Sequence, residues 1–222
     1  MKMLNEIKFF KNIDLKDDEL ISIDLSKLNK DLSMFDTTSS QEWERYIDTY
    51  LNKYNAKVAY GGYLEERNLY DRSDYFQSTS INEKRNIHLG VDFWCKANTP
   101  ICSLFEGKIH SFKNNRNYGD YGPTIILEHQ INKVKFYTLY GHLSLESIQG
   151  KSIGQEIEKG EVFCFLGESK VNGDYAPHLH FQIIFDLHDN YGDYPGVCSK
   201  KDLNFYKENC PDLKTLLKVI KE

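Results

Sequence analysis

The chain has 222 residues, five cysteines and a net charge of −5, with acidic and basic residues interspersed. That length buries a sizeable core without needing a metal as a folding staple. No long basic run points to nucleic acid, and the apolar stretches are too short and interrupted to span a bilayer.

The first ten residues, Met1 to Phe10, hold no apolar run of signal-peptide length, which favours the cytoplasm over the cell envelope as an expectation. Residues 1–80 read as a helical and irregular segment. A weak helical pattern runs from Asp17 to Ile23. A stronger one covers 40–53, where Trp43, Tyr46, Ile47, Tyr50 and Leu51 recur at helical spacing. Ser39 and Glu42 form a capping box at its start, Ser39 as cap and Glu42 reaching back. Gly61-Gly62 then breaks the pattern, and 60–77 reads as a long structured loop.

Residues 81–200 read as a separate domain of short strands: 107–112, 124–129, 134–140, 161–167 and 180–185. No helix-length pattern separates them, so the fold class is mainly β, an antiparallel sheet or sandwich. Residues 201–222 form a helical tail, with Pro211 in the first turn of a short helix and Leu213, Leu216, Leu217 and Ile220 on its buried face. The cysteines (95, 102, 164, 198 and 210) are odd in number, widely spaced and free of any CxxC. They read as reduced, mostly buried thiols.

Three strings carry the chemistry: His88-Leu89-Gly90-Val91-Asp92, Tyr140-Gly141-His142-Leu143 and Pro177-His178-Leu179-His180-Phe181. Four histidines and an aspartate suffice for a three-donor metal site with two histidines left over, and three protein donors plus an open position mark catalytic rather than structural zinc. In a strand, residues two and four apart share a face, so His178 and His180 project together while Leu179 faces the core. His88 and Asp92 share a face likewise, and Gly90 between them leaves room for a metal. His110, His129 and His188 read as surface or internally satisfied histidines.

These strings, with Thr99-Pro100, Glu106-Gly107-Lys108-Ile109, Gly154, Ile157 to Glu161 and Leu166-Gly167, resemble the lysostaphin-type, LytM-like M23 zinc endopeptidases over about 86–185. The resemblance implies one zinc ion held by His88, Asp92 and His180, with a water in the fourth position. It implies His142 and His178 as the catalytic pair, one a general base and the other a donor to the developing oxyanion. It also implies a peptide substrate, that of bacterial peptidoglycan. Relatives carry a tyrosine shortly before the first donor. Here that stretch is Ser80 to Glu83, leaving Tyr63, Tyr75 or Tyr118 for the place. Some relatives are held latent by an upstream asparagine, for which Asn68, Asn82 and Asn86 are the candidates. The groove loops that set specificity are expected at 114–122 and 168–176.

Two other readings fit parts of the pattern. One is a non-catalytic module of the same fold that binds or activates a partner, although such modules usually lack the donors kept here. The other is a non-haem iron oxygenase with a two-histidine-one-carboxylate triad. Its usual HxD spacing differs from the HxxxD found here, and it leaves His142 and His178 without a task.

Overall fold

The computed structural model describes residues 19–73, 80 and 82–220. Twelve strands are present among them: β1 (Leu20–Ser22), β2 (Val58–Gly61), β3 (Ile87–His88), β4 (Val91–Trp94), β5 (Pro100–Cys102), β6 (Gly107–Asn115), β7 (Gly122–Ile131), β8 (Val134–Gly141), β9 (Glu156–Ile157), β10 (Val162–Phe165), β11 (His178–Ile184) and β12 (Val197–Cys198). Eight form one sheet in the order β1-β2-β4-β11-β8-β7-β6-β9, and β10-β5 and β12-β3 form two-stranded ribbons. Pairing is antiparallel as expected, except that β1 runs parallel to β2.

Period-two alternation explains the central strands. On β11, Leu179, Phe181 and Ile183 enter the main core, while His178, His180 and Gln182 face the other way. On β7, Ile125 and Leu127 join that core and Ile126 joins a second cluster with Leu139, Ile184 and Cys210. A strand buried on both faces gives the nearly unbroken apolar run seen in its sequence.

The helix over α1 (Ser40–Lys53) starts where the sequence places it, and Ser39 Oγ accepts from the Glu42 amide at 3.3 Å. The reciprocal half of the capping box is not made: the Ser39 amide goes to the Asp36 carbonyl, and Glu42 pairs with Arg45 one turn on. Trp43 of α1 stacks against Trp94 of β4, with ring centroids 6.3 Å apart.

Four expectations change. The stretch read as a weak helix, Asp17 to Ile23, carries β1 instead; its first two residues lie outside the described ones. Val58 to Gly61, just before the Gly-Gly break, is a strand beside β4, because Val58 and Ala59 are both fully buried. The tail holds two helices, α2 (Leu203–Asn209) and α3 (Leu213–Val219). Pro211 precedes α3, and Asp212 is its cap, accepting from the Thr215 amide at 2.7 Å. Leu216 and Ile220 are buried in the main core, with Leu213 and Leu217 packed against it. All five cysteines are free and buried.

Candidate metal centre

The single strand expected across 88–92 is broken. β3 pairs with β12, the Leu89 amide bonds the Gly196 carbonyl at 2.9 Å, and the chain turns at Gly90 into β4. A Cβ on Gly90 would lie 2.7 Å from two atoms of the His180 ring, so that residue has to be glycine. Asp92 on β4 sits directly opposite His180 on β11, and His180 opposite Gly141 on β8. His142 follows Gly141 with φ +61°, a left-handed backbone that few non-glycine residues adopt.

The result brings all five predicted residues into one cavity of about 390 Å³. Each is at most 5% exposed. His88, Asp92 and His180 converge most tightly. His88 Nε2 lies 2.9 Å from His180 Nδ1, and Asp92 Oδ1 lies 3.2 Å from each of those nitrogens.

The hydrogen bonds behind the rings settle which nitrogens carry protons. His88 Nδ1 donates to the Gly62 carbonyl at 2.9 Å, which leaves Nε2 unprotonated. Gln182 spends its amide N–H groups on the Pro195 carbonyl and Cys210 Sγ, so its Oε1 accepts from His180 Nε2 at 3.0 Å. His180 Nδ1 is then unprotonated too. Two nitrogen lone pairs and a carboxylate oxygen therefore point at one another across 2.9–3.2 Å. Asp92 Oδ1 is buried with no hydrogen-bond partner among the described residues. Three bare acceptors at this spacing repel unless a cation sits among them. Donors around a four-coordinate zinc, each at 2.0–2.1 Å, are separated by roughly 3.3 Å. The donor set and its spacing fit that ion.

His142 and His178 stand beside this cluster with ring centroids 4.2 Å apart. His142 Nδ1 donates to the Asn172 carbonyl at 2.7 Å and His178 Nδ1 to the Ala176 carbonyl at 2.8 Å. Nε2 is the nitrogen each ring offers the cavity, and that of His178 lies 3.9 Å from Asp92 Oδ1. Burial pushes His88 and His178 down to about 4 and His142 well below the ordinary histidine range, so all three are neutral at neutral pH. For Asp92, burial works against ionisation, yet its carboxyl stays well below the usual range because His88, Arg67 and His178 favour its charge. With the histidines neutral, the Arg67 guanidinium is the cation that does this.

Residues 86–191 match the family model described as Peptidase family M23. That match takes in just under half of the chain, which is thus similar to the M23 peptidases over this stretch. Over 104 residues the chain is 30% identical to lysostaphin of Staphylococcus staphylolyticus, a match spanning 47% of this chain and 20% of that protein. Among solved structures, it is 24% identical to the catalytic domain of the antimicrobial peptidase lysostaphin from Staphylococcus simulans, with a TM-score of 0.39 over 72% of this chain and 96% of that one. A variant catalytic domain of the prophage-encoded M23 protein EnpA from Enterococcus faecalis gives 20% identity and a TM-score of 0.38, over 59% of this chain and 86% of that one.

The M23 stretch does not contain all the groups that build this centre. Gly62 and Arg67 both precede it. Arg67 is 1% exposed and its Nη1 donates to Asp92 Oδ2 at 2.6 Å. Nothing local in the sequence marks it, because its partner is 25 positions away. Five tyrosines line the cavity, Tyr70, Tyr121, Tyr175, Tyr194 and Tyr206, and of these Tyr121 and Tyr175 have their rings against the site histidines. Tyr63 turns away to the Cys210 carbonyl, Tyr118 lies over Arg72, and Tyr75 falls outside the described residues. Asn68, Asn82 and Asn86 do not line the cavity. His129 is satisfied internally, His110 is half-buried on β6, and His188 is exposed. Loops 114–122 and 168–176 meet, the Gly119 amide bonding the Gly173 carbonyl at 3.0 Å, and together they wall the cavity beside His142.

Proposed function

We propose that this chain is a zinc-dependent endopeptidase that hydrolyses a peptide bond, with peptidoglycan peptides as its substrate class. The observation that carries the reading is the convergence of three unprotonated donor atoms, from His88, Asp92 and His180, beside two further histidines. Similarity to the M23 family over residues 86–191 supports the substrate class.

Zinc bound there would supply a water of pKa about 7 and a positive charge beside the scissile carbonyl. The remaining work falls to His142 and His178. Both are held in the tautomer that leaves Nε2 free to accept a proton. One acts as general base toward the water and becomes an imidazolium, which can then donate that proton at Nε2 to the departing amine. The other, neutral and with Nε2 likewise unprotonated, accepts a hydrogen bond from the water and helps to orient it for attack. The left-handed turn at His142 and the stacking of His178 on Trp94, with centroids 4.0 Å apart, hold the two rings in place without substrate. The rings of Tyr70, Tyr121 and Tyr175 line the cavity beside these groups.

The test is zinc content by mass spectrometry together with hydrolysis of purified peptidoglycan fragments and of generic peptides. One zinc per chain, cleavage of the fragments, and loss of both in His180→Ala are expected. Wild-type protein that takes up no zinc, or a His180→Ala variant that retains it, overturns the reading.

A further inference from the structure

We infer that Arg67 is a positioning residue of the metal centre and that Glu65, Arg67 and Asp92 act as one charged relay that leaves Asp92 a single oxygen for the metal. The inference rests on the zinc reading above and deepens it. Two of its three residues, Glu65 and Arg67, lie before the M23 stretch.

The guanidinium uses two edges. Its Nε donates to Glu65 Oε2 and its Nη1 to Asp92 Oδ2, each at 2.6 Å. The other oxygen of Glu65 accepts from the Leu25 amide at 3.0 Å, so the outer end of the relay is tied to the chain just after β1. The inner end splits the Asp92 carboxylate, with Oδ2 committed to Arg67 and Oδ1 facing the two imidazoles. A planar fork does this where a lysine ammonium cannot.

Charge decides why Glu65 is there. Arg67 alone would cancel the charge of Asp92 and weaken its pull on a cation. With Glu65 attached, the relay reads minus, plus, minus, and the net negative charge at the donor cluster is restored. Arg67 keeps its charge, as an arginine guanidinium does in proteins.

The same segment serves the second donor. The carbonyl of Gly62 accepts from His88 Nδ1, and the Arg67 side chain packs against Gly62. A Cβ at residue 62 would lie 2.0 Å from Arg67 Nη2 and 2.8 Å from His88 Nδ1, and φ is +101°. Only glycine fits. Residues 62–67 thus supply the outer partners of two of the three donors, and such partners typically contribute 10–100-fold in metal affinity.

The experiment measures zinc Kd by competition with a chromophoric chelator, the visible spectrum of the Co²⁺-loaded protein, and the Tm of the metal-free protein. It compares wild type with Arg67→Lys, Arg67→Met and Glu65→Gln. Arg67→Lys is expected to bind zinc about 10–100-fold more weakly. Glu65→Gln is expected to weaken zinc binding several-fold, because its arginine is left uncompensated. In Arg67→Met the freed carboxylate closes on the ion with both oxygens, and the cobalt bands lose the intensity of four-coordination. A role in folding alone would lower the metal-free Tm and leave zinc Kd and the cobalt spectrum unchanged, which would overturn the inference. Should Arg67→Met not fold, Arg67→Lys and Glu65→Gln decide the matter through zinc Kd. Wild type that binds zinc while both variants match it sinks the relay alone. Wild type that binds none sinks the relay together with the zinc reading.

Discussion

His142 and His178 face each other with ring centroids 4.2 Å apart, each locked through Nδ1 to a main-chain carbonyl, that of Asn172 or Ala176. Neither lock involves a titrating group. The pair is therefore fixed in one tautomer by the backbone, and its orientation does not depend on the metal donors.

It follows that the two histidines can be removed without emptying the metal site. His142→Gln and His178→Gln should each lower kcat/KM on a cleavable peptide by about 10²–10⁴-fold, the usual range for a general acid or base. Zinc stoichiometry should stay at one per chain in both. The double variant should fall little further than either single, because the two act on one proton path. A variant that keeps half of wild-type activity would remove its histidine from the proposed mechanism.

Gly90 provides a steric test of the donor cluster. Its missing Cβ would meet the His180 ring at 2.7 Å and the Phe181 carbonyl at 2.8 Å, the latter a backbone atom paired within the sheet. Gly90→Ala must push β11 or the ring aside, and overpacking of this kind costs about 1–3 kcal/mol. The expected outcome is a lower Tm together with weakened zinc uptake. Unchanged zinc affinity in the folded variant would show that the cluster yields more easily than its packing suggests.

Much of this site was legible because strand alternation is local. His178-Leu179-His180 needs only period two to place both histidines on one face, and the structure puts Leu179 in the core opposite them. Asp92 and His88 were legible as a pair, although Gly90 breaks the strand that was expected to join them. Arg67 and Gln182 were not legible. Each matters through a partner whose proximity is created by sheet pairing: Asp92 for Arg67, and, for Gln182, the Pro195 carbonyl and Cys210 as well as His180. β1 and β2 were missed because three- and four-residue strands carry too few alternations to show a period, and because Gly61-Gly62 reads as a break. Tyr121 and Tyr175 carry no motif; they line the cavity because the loops holding them fold against His142.

Gln182 separates orientation of a donor from stability. Its Oε1 fixes the His180 tautomer, while its N–H groups satisfy the Pro195 carbonyl and Cys210 Sγ. Gln182→Leu removes both functions and should weaken zinc binding about 10–100-fold by chelator competition. Gln182→Glu keeps the acceptor for His180 and loses the donors. It should hold zinc near wild-type affinity while losing about 1–3 kcal/mol of stability in urea, from the Pro195 carbonyl left unpaired. Equal zinc affinity in wild type and Gln182→Leu would show that Gln182 does not orient the ring.

His129 gives a pH test remote from the metal centre. It is 1% exposed on β7, with Nδ1 donating to the Glu106 carbonyl at 2.7 Å and Nε2 accepting from the Thr138 hydroxyl at 2.7 Å. Both bonds suit the neutral ring; protonation at Nε2 would oblige the Thr138 hydroxyl to turn and accept instead of donate. Burial is the main cause of a folded-state pKa of about 4, against 6.5 when unfolded. Between those values the unfolded chain binds the extra proton, so stability rises with pH across the window. The contribution is complete above about 6.5 and lost as pH falls toward 4. A shift of that size corresponds to about 3 kcal/mol. His129→Gln, which cannot titrate, should be less stable than wild type at pH 7.5 through its altered hydrogen bonds. The gap should narrow by about that amount as the pH is lowered from 6.5 to 4 in urea unfolding of the two proteins. A gap that stays constant over the window would mean that His129 takes up its proton in the folded state as readily as in the unfolded one.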